Sequence, residues 1–367
     1  VDVSGGTGEV LVVFDGYGQA RAGAERMAVR AAAGLAARSR RVTALASTAH
    51  SESVASLRTA GVPLYNDAAQ LLQDRPDFAP SVVHAFDLAR PDAPAEAVRL
   101  ARRYGARLVL TPCSAPQVWP DPVLAGEVCR AADVVFALTV TEMTALSDLG
   151  VRGDQLRRLP SASDLTGPVD TAEFRRRHGI DGPFVLFVGR RMVSKGYRTL
   201  LEAMATVWHR LPATRFVFIG PDVDPDASAH FAAHADPRLH DLGTVDEQTK
   251  HDAIAACELL CLPSVADVFP LVFVEAWTCG RPVVSGAFAG AHQVVREGVD
   301  GLVVPPGPES VAAALIELLA NDVRRRRLGA AGRRRAERSF GWDRVIDAYE
   351  SSYAPPPSPA APTALPR

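Results

Sequence analysis

Short apolar runs alternate with longer amphipathic stretches along this chain, and the alternation stops once and then begins again. Strand followed by helix, repeated, is the pattern of parallel sheets with helices packed on their faces. In the first half it predicts strands over residues 10–14, 42–46, 81–86, 107–111 and 131–138, with helices over 24–38, 95–104 and 127–130. The break falls at 159–169, L-P-S-A-S-D-L-T-G-P-V, which is dense in turn formers and reads as an interdomain linker. After it come strands over 183–189, 215–220 and 259–263, and helices over 197–210, 246–256, 310–319 and 322–338. A last helix, 343–353, is entered through S-F-G-W. The expected fold class is therefore α/β, with two Rossmann-like doubly wound domains over 1–160 and 171–338 and a linker over 161–170. Such sheets bind ligands beyond their strand C-termini, so a cleft between the domains is the expected site. The end of the chain, 354–367, is proline-rich and reads as disordered.

Bulk properties narrow the class. A chain of 367 residues is too long for one ordinary core, which agrees with two domains. Hydrophobic content of 47% and charged content of 22% are globular values, and a net charge of −2 gives no reason to expect a nucleic-acid partner. The five cysteines (113, 129, 257, 261, 279) include no CxxC pair, so neither a disulfide framework nor a zinc spacing is present. No apolar run approaches the roughly 18 residues of a spanning helix, and the first residues lack a basic-then-apolar signal. A cytoplasmic, reducing location is expected. Lys195 and Lys250 are the only lysines among 40 lysine and arginine residues. A lysine kept in an arginine-rich chain suits a role needing a compact point charge, such as one on phosphate.

The stretch 267–280, D-V-F-P-L-V-F-V-E-A-W-T-C-G, carries the most chemistry. Asp267 falls in a tight turn, Pro270 starts a helix, and Glu275 follows about one turn in. Gly280 suits a left-handed cap, Pro282 cannot continue the helix, and the apolar pair Val283 and Val284 opens a buried strand. A helix N-terminus presenting free N–H groups is an anion site. Carboxylates on either side of it can hold hydroxyls flanking a bound phosphate, which is the layout needed to grip a nucleotide-activated sugar.

Four motifs occur in order: G-R-R-M-V-S-K-G (189–196), L-G-T-V (242–245), the 267–280 stretch, and D-G-L-V-V-P-P-G (300–307). Together with the glycine loop and A-E-R-M-A of the first half, they make the chain similar to retaining glycosyltransferases of the large bacterial GT-B group called family 4. The resemblance covers nearly the whole chain apart from its proline-rich end. It implies a sugar nucleotide held by the second domain, an acceptor held by the first, and a last helix (339–353) packing back on the first domain. The implied partners are a nucleotide-sugar donor and a small-molecule, lipid or glycan acceptor, with no cofactor and no metal.

Carried over residue by residue, the resemblance assigns Arg190 and Lys195 to the donor diphosphate, with Arg191 as an alternative to Arg190. Chemically, an arginine fork and a lysine point charge at the end of a strand suit a leaving phosphate, though both also fit an ordinary βα loop. Glu275 matches the acid that accepts from ribose hydroxyls, and equally fits an acid stabilised by a helix N-terminus. Leu271 and Val272 offer backbone N–H groups to phosphate, with Val268 and Phe269 beside them. Thr244 and Val245 fall where the base is held. Gly23 lets backbone approach the phosphate.

This chain departs from the family pattern at several positions. Asp267 stands where glutamate is usual, one methylene shorter toward the sugar, and also reads as a turn former. Cys113 replaces a common histidine near the sugar, Ala22 and Gly23 replace a glycine pair, and Ser161 and Ala162 replace asparagine-glycine. Asp15 and His84 are further candidates for the sugar or acceptor vicinity, although a histidine satisfied within a packed strand end explains His84 as well. Asp222-Val223-Asp224 is a D-x-D that reads better as an acidic loop than as a metal site. The arginine clusters 324–327 and 333–335 could attract anionic lipid, or form a solvated helix face. Rival functions sharing such a cleft are a sugar-nucleotide 2-epimerase and a catalytically silent nucleotide-sugar binder. A Rossmann dehydrogenase is weakened by the lack of G-x-G-x-x-G after the first strand.

Overall fold

The structure is a computed structural model that describes residues 8–18, 21–165 and 167–354. Residues 355–367, nearly all of the proline-rich end, lie outside the described residues.

Two all-parallel sheets carry the fold. The first contains β1 (Glu9–Val13), β2 (Val42–Leu45), β3 (Leu64–Tyr65), β4 (Pro80–Phe86), β5 (Arg107–Thr111), β6 (Val134–Ala137) and β7 (Leu156–Arg158). Its spatial order is β3-β2-β1-β4-β5-β6-β7. The second contains β8 (Phe184–Val188), β9 (Arg215–Ile219), β10 (Leu239–Gly243), β11 (Leu259–Leu262), β12 (Val283–Gly286) and β13 (Gly301–Val304). Its order is β10-β9-β8-β11-β12-β13. The central strands β1, E-V-L-V-V, and β11, L-L-C-L, are buried along their whole length because helices cover both faces.

Strand order reverses between β1 and β4 in the first sheet and between β8 and β11 in the second. The loops leaving these four strands diverge from their sheets, and a doubly wound sheet opens its ligand crevice at that point. Both crevices contribute to one cleft between the sheets.

Several boundaries differ from expectation for local reasons. The helix placed at 127–130 runs Pro122–Ala131, because Asp121 accepts from the N–H groups of Val123 and Leu124 and Pro122 occupies the first turn. The strand after it is Val134–Ala137, shorter than 131–138. The helix expected from 310 begins at Pro308, again a proline in the first turn. Short helices such as Ser51–Thr59 and Val140–Asp148, and the edge strands β3 and β7, carry too little periodicity to stand out in the sequence. Beyond the linker, Asp170 caps the helix Thr171–His178 through the N–H of Glu173.

The last helix, Trp342–Tyr353, returns to the first sheet. Arg38 donates to Asp347 and to Glu350 at 2.5 and 2.9 Å, and the Tyr353 hydroxyl lies 2.9 Å from His84 Nδ1. Gly34 permits the close crossing, since a Cβ there would meet Ile346 Cδ1 at 2.8 Å.

Candidate active site

The loop after β8 delivers two cations to the cleft. Arg190 lies with its guanidinium 5.0 Å from the centre of the Tyr17 ring, which the loop after β1 brings across from the first domain. Arg191 points the other way. Its buried side chain pairs with Asp222 and Asp241 and stacks over Phe231, so Arg190 is the arginine that faces the cleft.

Lys195 ends a short 3-10 turn, Val193–Lys195, that Gly196 closes with φ of 75°. A side chain at Gly196 is forbidden twice over: φ is left-handed, and a Cβ would sit 2.1 Å from the carbonyl oxygen of Pro263. This contact presses the β8 loop against the β11 loop and sets Lys195 Nζ 2.6 Å from Asp267 Oδ2. Asp267 Oδ1 accepts from the Val268 N–H at 3.0 Å.

Past Asp267 the chain enters the helix Leu271–Thr278 behind Pro270, whose φ of −60° is preset for it. The first N–H groups of this helix, at Leu271 and Val272, have no acceptor within it, and both residues line the cleft. Glu275 lies one turn deeper and is fully buried. Arg26, from the first-domain helix Gly23–Ala37, donates to its Oε1, and Lys250 Nζ lies 3.0 Å from the same oxygen. Burial alone would raise the carboxyl, but Arg26 and then Lys250 outweigh it and hold the group down at about 2. Oε2 of Glu275 is buried and has no hydrogen-bond partner.

Opposite, the first domain presents a strained rim. Asp87 and Cys113, which follow β4 and β5, have φ of 68° and 61°, two of the three positive values among described non-glycine residues. Asp87 accepts from Tyr17 Oη at 3.1 Å, Ser114 Oγ at 3.1 Å and the Ala89 N–H at 2.9 Å. Burial raises its carboxyl, and burial likewise drives the Cys113 thiol well up, which favours its neutral form.

Of the residues singled out in the sequence, Gly23, Cys113, Arg190, Lys195, Thr244, Val245, Asp267, Phe269, Leu271, Val272 and Glu275 meet on this cleft. Val268 lines a smaller adjoining pocket that shares Asp267. Asp15 and His84 are not brought to it. Asp15 is buried with its Oδ1 accepting from the N–H and hydroxyl of Ser47. His84 sits in the core between Tyr353 and Thr111, and burial lowers it to about 3. The sequence missed Arg26, Tyr17, Asp87 and Glu247. Scarcity of lysine pointed to Lys250, and Arg26, although it falls in the A-E-R-M-A run, was given no role there.

For a cation, the D-x-D carboxylates are engaged elsewhere: Asp222 with Arg191 and Ser228, Asp224 with Arg198. Among the described residues, Glu247, His251 and Glu275 place ligand atoms within 4.8 Å of one another. Two protein cations already occupy the Glu275 end of that group. The arginines at 324–326, 333 and 335 are in ion pairs, some along their own helix and others with Glu317, Glu258 and Asp300 outside it.

Residues 182–321 match the model of the family Glycosyl transferases group 1. The D-inositol 3-phosphate glycosyltransferase of Xylanimonas cellulosilytica is 33% identical over 67% of this chain and 62% of its own length. The phosphatidyl-myo-inositol mannosyltransferase of Mycobacterium tuberculosis is 32% identical over 56% of this chain and 58% of its own. The chain thus matches about three fifths of the length of these curated relatives. Anabaena HepE, solved with UDP and glucose, superposes with a TM-score of 0.80 at 19% identity, over 94% of this chain and 99% of that one. Sucrose-phosphate synthase from Thermosynechococcus elongatus superposes at 0.77 with 20% identity, over 94% and 98%. Residues 182–321 thus carry the pattern of the group 1 glycosyltransferases, and the chain has the two-domain GT-B fold.

Proposed function

We propose that this chain transfers a sugar from a nucleoside-diphosphate sugar to an acceptor hydroxyl, with retention of anomeric configuration and without a metal. The observation that carries the reading is the convergence of Arg190, Lys195 and the N-terminus of the helix Leu271–Thr278 on one cleft, with Glu275 a turn inside. The two cations and the helix N–H groups would take up the charge that grows on the leaving diphosphate. Glu275 Oε2 would accept from the ribose, and Asp267 from the sugar. The acceptor would enter from the first domain, past Asp87, Ser114 and Cys113.

Retention is supported by the family and by the absence of a base at Asp15, whose carboxylate is turned to Ser47 rather than to the cleft. The leaving phosphate oxygen can then take the acceptor proton on the face it departs from. The relatives' names suggest inositol-containing acceptors, and the HepE complex suggests a uridine nucleotide. A cytoplasmic site, where such donors are made, is part of the proposal. The test is a thermal-shift panel of UDP, GDP and ADP, followed by the matching glucose and mannose donors with inositol phosphate and phosphatidylinositol as acceptors. Saturation at a hundredfold over Kd should stabilise the fold by about 2.7 kcal/mol. Isomerisation of the donor without acceptor would favour an epimerase instead, and binding without turnover a silent binder.

A further inference from the structure

The acid at the centre of the proposed nucleotide site is held from two directions. Lys250 reaches Glu275 Oε1 from within the second domain, on the helix Glu247–Ala256, and also pairs with Glu247 at 2.8 Å. Arg26 reaches the same oxygen from the first domain. Its Nε donates at 2.7 Å to Asp164 of the linker, whose other oxygen accepts from Trp342 Nε1 at 3.2 Å. One guanidinium therefore joins the first domain, the linker and the second domain. All of this is buried: the Arg26, Asp164, Lys250 and Glu275 side chains are 9%, 6%, 7% and 0% exposed.

The arrangement leaves Glu275 asymmetric. Oε1 takes two cations and Oε2 takes none, although it is buried and its residue lines the cleft. A buried carboxylate oxygen with no donor is costly unless something supplies one. Ribose hydroxyls are donors of the right kind. Parting of the domains would leave Arg26 with Asp164 and strip Glu275 of one of its two cations.

Resting on the nucleotide reading above, we propose that Arg26 and Lys250 are positioning residues for Glu275, and that Arg26 ties nucleotide binding to domain closure. Both residues keep Oε1 engaged so that Oε2 faces the ribose. Because one of the two lies on the opposite domain, a nucleotide that uses Oε2 binds best to the closed arrangement, and by linkage closes it.

The experiment compares wild type with Lys250→Met, Arg26→Met and Arg26→Lys. Calorimetry with UDP and with 2′,3′-dideoxyuridine diphosphate reads the ribose contact, with GDP and ADP run alongside. Small-angle scattering with and without UDP reads closure. Wild type should prefer UDP over the dideoxy analogue by at least about tenfold. Lys250→Met and Arg26→Met should lose most of that preference through weaker UDP binding, and Arg26→Lys should keep part of it. Without ligand, Arg26→Met should already be more expanded than wild type; UDP should compact wild type and Lys250→Met further, while Arg26→Met should stay expanded. Equal losses for the two nucleotides in the Met variants would make these residues merely structural and overturn the proposal. So would tighter UDP binding with normal closure in Arg26→Met, which would make Arg26 a competitor of ribose. If Arg26→Met does not fold, Arg26→Lys and Lys250→Met carry the test. A wild type that binds no nucleoside diphosphate sinks the nucleotide reading itself. Scattering of Arg26→Met and Arg26→Lys without ligand still judges the tie, since dimensions equal to wild type in both would overturn it.

Discussion

Lys195 Nζ lies 2.6 Å from Asp267 Oδ2, so the cation offered to the diphosphate is steadied by the acid offered to the sugar. The pair is only partly shielded, with side chains 21% and 10% exposed, and its own contribution to stability is small. Its value lies in aim.

Replacing either partner should therefore disturb both ends of the donor. Lys195→Ala and Arg190→Ala are expected to weaken nucleoside diphosphate binding by about tenfold or more and lower turnover further, with the fold intact. Asp267→Ala should cost sugar-nucleotide binding more than diphosphate binding. Calorimetry with both ligands checks this, and normal donor kinetics in Arg190→Ala and Lys195→Ala would contradict the assignment.

Arg191→Met should behave in the opposite way. Its side chain is buried among Asp222, Asp241 and Phe231, away from the cleft. Losing it should destabilise the second domain by about 1–3 kcal/mol while nucleotide affinity in the folded protein is unchanged. Urea unfolding beside calorimetry separates the two effects.

Two buried groups should give stability opposed pH dependences. His84 is lowered from 6.5 to about 3 by burial, so the unfolded chain binds the extra proton, and stability falls as pH drops from 6.5 toward 3. Glu142 is raised from 4.5 to about 8, chiefly by burial, so the folded chain holds the proton, and stability falls as pH rises from 4.5 toward 8. Glu142→Gln should remove the second slope and leave the first. Its amide oxygen can still accept from the Leu138 N–H, which now lies 2.6 Å from Glu142 Oε2. Unfolding midpoints across that pH range check it, and an unaltered slope in Glu142→Gln would refute it.

Gly196→Ala should damage both fold and function. The left-handed backbone alone costs about 1–2 kcal/mol for an alanine, and the Pro263 carbonyl must also move. Lys195 and Asp267 would separate, so donor turnover should fall more than thermal stability suggests.

Activity should survive exhaustive chelation. The D-x-D carboxylates are held by Arg191 and Arg198, and two cations flank Glu275. Loss of turnover in EDTA that magnesium or manganese restores would redirect attention to Glu247, His251 and Glu275.

Much of this was legible locally. The helix Tyr197–Arg210 shows its amphipathic period in the sequence, and Pro270, Gly280 and Pro282 bracket the donor helix by backbone chemistry alone. Motif order placed Arg190, Lys195 and Glu275. The sequence favoured Arg190 and kept Arg191 as the alternative; what separates them is which way a loop turns, set by Asp222 after β9 and Asp241 within β10. The role of Arg26 was hidden for a related reason: its partners lie 138 and 249 residues away. Asp87 declares itself only through a backbone angle. His84 follows the bland reading, since Tyr353 satisfies it from a helix that is distant in the chain.

The scarcity of lysine has a practical side. This chain carries two side-chain amines, and Lys250 is enclosed at 7% exposure whereas Lys195 is 21% exposed. An amine-selective reagent therefore meets one accessible side-chain target, and that target stands in the cleft. Labelling of this protein reports directly on whether the cleft is occupied, with no engineered cysteine and no background from the arginine-covered surface.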